Sequence, residues 1–216
     1  MNEALCSILC SEEDWYFHFN ESIRFNKDGT GELICWSNLH YWFLVELEWK
    51  SIRSPDNKAD RTTPPSPSRP ITTRTGSDKA EFLGQLDLEI TLTRRMAGRA
   101  RRQKASNTTL EEASRYLGDD ALRTKSYTVR IERGNFIIPA FAGNGFPNQQ
   151  RYSLRLLFDR SPYPPYSEWV NPPGEPEDGL YGEQVEFVAR SAPDSARQHP
   201  PMNDPSAWSW NSCVVS

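Results

Sequence analysis

The sequence predicts an all-β protein, an antiparallel up-and-down barrel of about eight strands with long polar insertions and a polar tail. Three observations lead there. Most apolar residues recur at every second position, the period of a strand with one buried face. Asp28-Gly29 stands between two such runs, and Gly accepts the positive φ of a tight hairpin, so neighbouring runs should pair antiparallel. Each run has a single apolar face, which only closure into a barrel or pairing into a sandwich can bury. Runs as long as residues 41–52 favour the barrel.

The elements follow in order. Residues 15–25 (WYFHFNESIRF) form an aromatic-rich strand segment, Asn26-Lys27-Asp28-Gly29 turns, and residues 30–36 return. Residues 41–52 place Phe43, Val45, Leu47 and Trp49 on one face. Residues 53–80 hold five prolines among Ser, Thr and charges and read as an extended or disordered insertion. Residues 81–93 put Leu86, Leu88, Ile90 and Leu92 inward, with Gln85, Asp87, Glu89 and Thr91 outward. A second insertion, 94–125, opens with a basic stretch and holds a candidate helix from Leu110 to Leu117, capped by Thr108 or Thr109. Residues 126–132 alternate, Arg133-Gly134-Asn135 reads as a turn, and Phe136 to Pro139 follows. Residues 151–159 align Tyr152, Leu154, Leu156 and Phe158, and residues 183–189 are a weaker strand or one helical turn. The expected organisation is an N-terminal segment (1–14), one barrel domain (15–190) with insertions at 53–80 and 94–125, and a disordered tail (191–216).

Bulk properties narrow the functions. A net charge of −4 argues against general nucleic-acid affinity. The four cysteines, Cys6, Cys10, Cys35 and Cys213, form no paired framework and read as reduced thiols. No stretch approaches the ~18 apolar residues that span a bilayer. Glu3 stands where a secretory leader needs a basic residue, so the expectation is a cytoplasmic, non-secreted chain. His18, His40 and His199 have no metal-ligand spacing, and no phosphate-binding loop or nucleophile elbow occurs, so neither metal nor cofactor is expected.

The last four residues, Cys213-Val214-Val215-Ser216, match the pattern for prenylation, with Ser favouring farnesyl. Trp208 and Trp210 just before them would suit a membrane interface. A single lipid holds weakly, so the basic stretch 94–104, with Arg99, Arg101 and Arg102 at its centre, is a candidate second membrane contact. A chance tail and an ordinary solvated loop are the alternatives.

Several pieces resemble the small lipocalin-like (calycin-type) barrels: an early Trp15, then Phe25-Asn26-Lys27-Asp28-Gly29-Thr30-Gly31-Glu32, then Leu47-Glu48-Trp49, then the alternating strand Leu86 to Leu92. The ordered region also resembles a group of fungal lipocalin-like proteins, including Phe141 to Phe146 and Phe158 to Pro165. The likeness covers residues 15–95 best and extends to 126–170. The chain departs from the family pattern at Glu13, where a Gly is usual, and in its long insertions. The resemblance implies an eight-stranded barrel that binds one small apolar molecule. Some distant relatives are cofactor-free isomerases or cyclases.

Candidate site residues follow from the aromatic inventory. Phe17, Phe25, Phe43, Trp49, Tyr127, Tyr152 and Phe158 fall on predicted strands and either wall a pocket or fill an ordinary core. Gly143-Asn144-Gly145-Phe146-Pro147 is a lid candidate or a plain turn. Glu46 and Glu48, with Glu32 opposite, could form an acid–base pair, but their face reads as the solvated one. Three functions stay open. The first is a barrel that binds a small apolar molecule or lipid, tethered at a membrane. The second is a cofactor-free isomerase or cyclase, and the third is an interaction scaffold with a packed core. The oligomeric state is open as well.

Overall fold

The computed structural model describes residues 2–19, 21–37, 40–52, 80–98, 117–142, 149–170 and 184–192. One helix, α1 (Asn2–Ser11), precedes eight strands: β1 (Trp15–His18), β2 (Glu21–Phe25), β3 (Thr30–Ser37), β4 (His40–Ile52), β5 (Glu81–Met96), β6 (Lys125–Phe136), β7 (Tyr152–Phe158) and β8 (Glu186–Ser191). Each strand pairs antiparallel with the next, and β8 returns to β1 through Tyr16 and Val188, so the sheet closes on itself. The predicted up-and-down barrel is therefore the observed fold.

Alternation explains the interior. Leu86, Leu88, Ile90 and Leu92 are all buried, and every strand contributes to one apolar cluster. Closing the sheet leaves it no free edge. Eight strands give an interior about wide enough for side chains to fill. Leu33, Leu47, Leu88 and Leu156 help to fill it here, each with no exposed surface.

The two ends are closed differently. Leu5 and Leu9 of α1 cover the end where β1 begins, and the Trp15 indole donates to the Leu9 carbonyl at 3.0 Å. The helix seats on Gly84, where a Cβ would stand 2.5 Å from Leu5 Cδ1. At the same end the β2–β3 hairpin turns through Gly29 at φ +83°. Asp28 Oδ1 accepts from the Thr30 amide (3.0 Å) and hydroxyl (2.7 Å). The Trp49 indole donates to the carbonyls of Asn26 and Thr30. The opposite end is covered by two connections, through Leu117 and Ala121 before β6 and Tyr163 after β7.

Four expectations change. Residues 15–25 are two antiparallel strands, β1 ending at His18 and β2 beginning at Glu21, in a segment that carries neither Gly nor Pro. Gly134 does not end a strand, because β6 runs on to Phe136 through a register shift that absorbs the extra residue. The N-terminal segment contains α1, which its short apolar stretch concealed. Leu117 bridges Trp169 in extended conformation rather than ending a helix; 110–116 lie outside the described residues. Of the weak segment 183–189, residues 186–189 belong to a strand, β8, which reaches Ser191. Most of both insertions, 53–79 and 99–116, the lid candidate at 143–147 and tail residues 193–216 also lie outside the described residues.

Candidate functional site

Glu21 opens β2 and shares its parity with the buried Ile23 and Phe25, so the strand aims a carboxylate inward. Its neighbour across the ladder is Cys35 of β3, whose Sγ lies 4.0 Å from Glu21 Oε1. Gln184, just before β8, donates from Nε2 to Glu21 Oε2 at 3.0 Å. The Gln184 side chain is 3% exposed, and its Oε1 is buried without a hydrogen-bond partner. Removal from water pushes the Glu21 carboxyl up to about 7, while the Gln184 hydrogen bond works weakly the other way. Neither cause is a neighbouring charge.

Aromatic rings wall this end. Phe187 meets Phe17 edge-on at 6.3 Å and Phe158 at 5.6 Å, and Phe158 meets Tyr127 at 5.8 Å. Tyr163 stacks on Phe187 at 6.2 Å and donates its hydroxyl to the Ile34 carbonyl at 2.9 Å. Phe17 is only partly buried. Burial also pushes the Tyr127 hydroxyl up to about 12, against the opposing pull of the Arg160 guanidinium over its ring.

The structure divides the sequence-predicted residues. Phe17, Tyr127 and Phe158 belong to the wall just described. Phe25 is 1% exposed and meets Trp49 edge-on at 5.4 Å, and Trp49 secures the hairpin, so this pair serves the α1 end. Tyr152 packs in a second cluster with Ile138, Val188 and Tyr16. The backbone of Phe43 pairs with Cys35, beside the site, but its side chain lies outside the described residues. Arg99, Arg101, Arg102 and Cys213 lie outside them as well.

The acids singled out on β4 are engaged elsewhere. Arg95 Nε binds Glu46 Oε1 at 2.7 Å, and its Nη2 binds Glu48. Glu32 does pair with Glu46 across the ladder. Arg94 binds Asp119 at 2.8 Å, so the two leading cations of the basic stretch are already matched by carboxylates. Among the described residues no three His, Cys, Asp or Glu side chains converge, and no helix is long and apolar enough to cross a membrane.

The residue that sequence reasoning missed is Glu21. Its signal was parity with Ile23 and Phe25, but its partner Gln184 lies 163 positions further along. A carboxyl near 7 beside a buried amide can accept hydrogen bonds, hold a proton or take one from a ligand. Comparisons with family models, curated proteins and solved structures return no match to this chain, so the fold and the site geometry carry the functional reading.

Proposed function

We propose that the barrel binds one small, largely apolar molecule at the end opposite α1. Its body rests against the partly buried Phe17 at the edge of the aromatic wall, and its polar group meets Glu21 and Gln184. The observation that carries this reading is the buried, unpartnered Oε1 of Gln184 beside a carboxyl displaced to about 7. An unmet buried acceptor costs about 1–3 kcal/mol, which a ligand donor would recover. Because the middle of the barrel is filled, the ligand sits at the mouth rather than deep inside. The same reading groups the chain with lipocalin-like barrels, supported by eight meandering strands and a helix across one end.

The test is titration with the apolar dye Nile red. Saturable one-to-one binding that is weakened in Gln184→Leu supports the reading. Absence of saturable binding, or binding unchanged in that variant, defeats it. The value near 7 also favours a second reading, a cofactor-free isomerase or cyclase with Glu21 as general acid–base. That reading requires turnover of a bound ligand, lost in Glu21→Gln.

Tethering through a prenyl group on Cys213, assisted by Arg99, Arg101 and Arg102, is a separate part of the proposal. Cys213→Ser should shift the protein from membrane to soluble fractions, and an unchanged distribution would end that part.

A further inference from the structure

We propose that the barrel admits its ligand sideways, through the seam between β1 and β8, and that the segment Ile138–Phe141 lies over that seam as a movable strap. This rests on the binding reading above and adds the route by which the site is reached.

The ladders locate the seam. β8 registers with β7 at five positions, from Tyr152 with Ser191 to Leu157 with Glu186. On its other side it registers with β1 at one, Tyr16 with Val188. Parting two strands means breaking the backbone bonds between them, so the closed sheet opens most easily here. Two features keep the pairing short. β1 has only four residues, and the β8 backbone turns left-handed at Arg190, with φ 57°.

Side chains join the strands on either side of that pair. Towards α1, Arg190 Nε donates to Glu12 Oε1 at 3.0 Å. Towards the mouth, the Phe17 ring meets Phe187 at 6.3 Å, and Gln184 Nε2 donates to Glu21 Oε2 at 3.0 Å. The residues assigned to the ligand, Phe17, Glu21 and Gln184, therefore also hold the mouth side of the seam shut. A ligand that takes over their contacts parts the seam where it binds. Tyr163 stacks on Phe187 and ties its hydroxyl to the Ile34 carbonyl of β3 at 2.9 Å, which lays a buried ring across the mouth itself.

The strap covers the same line from outside. Phe187 and Ala189 belong to the main core, whereas Val188 between them faces outward and is still fully buried, packed with Ile138, Tyr152 and Tyr16. Phe141 packs on His18 at 5.2 Å and on Phe19 at 5.4 Å. The strap belongs to no strand. The amides of Phe141 and Ala142 bond back to Ile138 and Pro139, and the Phe141 carbonyl receives a long bond from Gln149 Nε2 at 3.4 Å. Packing holds it in place, so it can lift while the ladders stay intact.

The test fixes the seam. A registered cross-strand pair sets its Cα atoms about 4.5–5.5 Å apart, within reach of a disulfide, so a Tyr16→Cys/Val188→Cys chain can be closed by an oxidant and reopened by dithiothreitol. Nile red binding to the full chain is followed by stopped flow in both states, with wild type under the same oxidant as control. We expect closure to slow association and dissociation together, each at least about tenfold, with affinity nearly unchanged. Phe141→Ala should speed both. If the closed chain binds as fast as the reduced one, the ligand enters elsewhere, and the inference is overturned while the binding reading stands. If wild type shows no saturable binding, the binding reading falls and takes the inference with it. Hydrogen exchange covers a double variant that fails to fold or to oxidise. In wild type the amides of β1 and β8 should exchange faster than those of β5 and β6, and Phe141→Ala should widen that gap. Equal protection in the two pairs of strands, or a gap that Phe141→Ala leaves unchanged, overturns the inference.

Discussion

The two ends of this barrel treat their polar groups in opposite ways. At the α1 end the indoles and Arg24 are matched, although Gln149 Oε1 in the connection before β7 is buried without a partner there too. The Trp15 indole meets Leu9, Trp49 meets Asn26 and Thr30, and Arg24 meets both Asp14 and the Glu13 carbonyl. At the far end a half-buried carboxyl has no charged group among the described residues acting on it, and an amide oxygen lies beside it without a donor. The acids record the contrast directly: hydrogen bonds from Thr30 hold Asp28 below its ordinary value, while burial lifts Glu21 above its own. One end is arranged for stability. The other sets an unmet amide oxygen beside a carboxyl raised by burial, a pairing that the described residues of the α1 end do not show, and such a pairing is the usual mark of a site.

The largest expected effect breaks the matched end. Trp15 has no exposed surface, and Trp15→Ala removes both its packing and its bond to α1. The cost should be about 3–5 kcal/mol, read as a lowered urea midpoint. Phe17→Ala, two residues on and only partly buried, should cost roughly 1–2 kcal/mol and mainly weaken ligand binding. Equal losses in the two variants would mean that the ends do not differ in the way described.

How much of this contrast could be read from the chain depends on range. The strand faces are local: alternation at 86–92 and Asp28-Gly29 at the hairpin place their residues correctly from a few neighbours. Local signals also misled. β1 gives way to antiparallel β2 between His18 and Glu21 without Gly or Pro, while Gly134 sits within β6, where a bulge uses it. Helix α1 is only ten residues long, and its packing on Gly84 of β5 is a tertiary fact. The site is the least local feature. Parity points Glu21 inward, yet its surroundings include Gln184, which closure of the barrel brings to it from the far end of the chain. The partners of Arg94 and Arg95 at the head of the basic stretch are long-range in the same way, since they lie on β4 and before β6.

The smallest effect, and the sharpest for the comparison, is the response of stability to pH. The folded-state pKa of Glu21, about 7, stands above its ordinary 4.5, so the folded chain holds this proton more tightly than the unfolded chain. Its contribution is therefore fully present below about 4.5 and is lost as the pH rises through about 7. For Asp28 the sign reverses: its contribution is present above 3.8 and is lost as the pH falls through its lowered folded value. Urea midpoints measured from pH 3 to pH 8 should separate the two windows. Glu21→Gln should flatten the fall between 4.5 and 7 and leave the acid limb in place, whereas Asp28→Asn should weaken only the acid limb. If the fall between 4.5 and 7 persists in Glu21→Gln, the carboxyl at the mouth is not the group that titrates there, and the contrast between the two ends loses its electrostatic half.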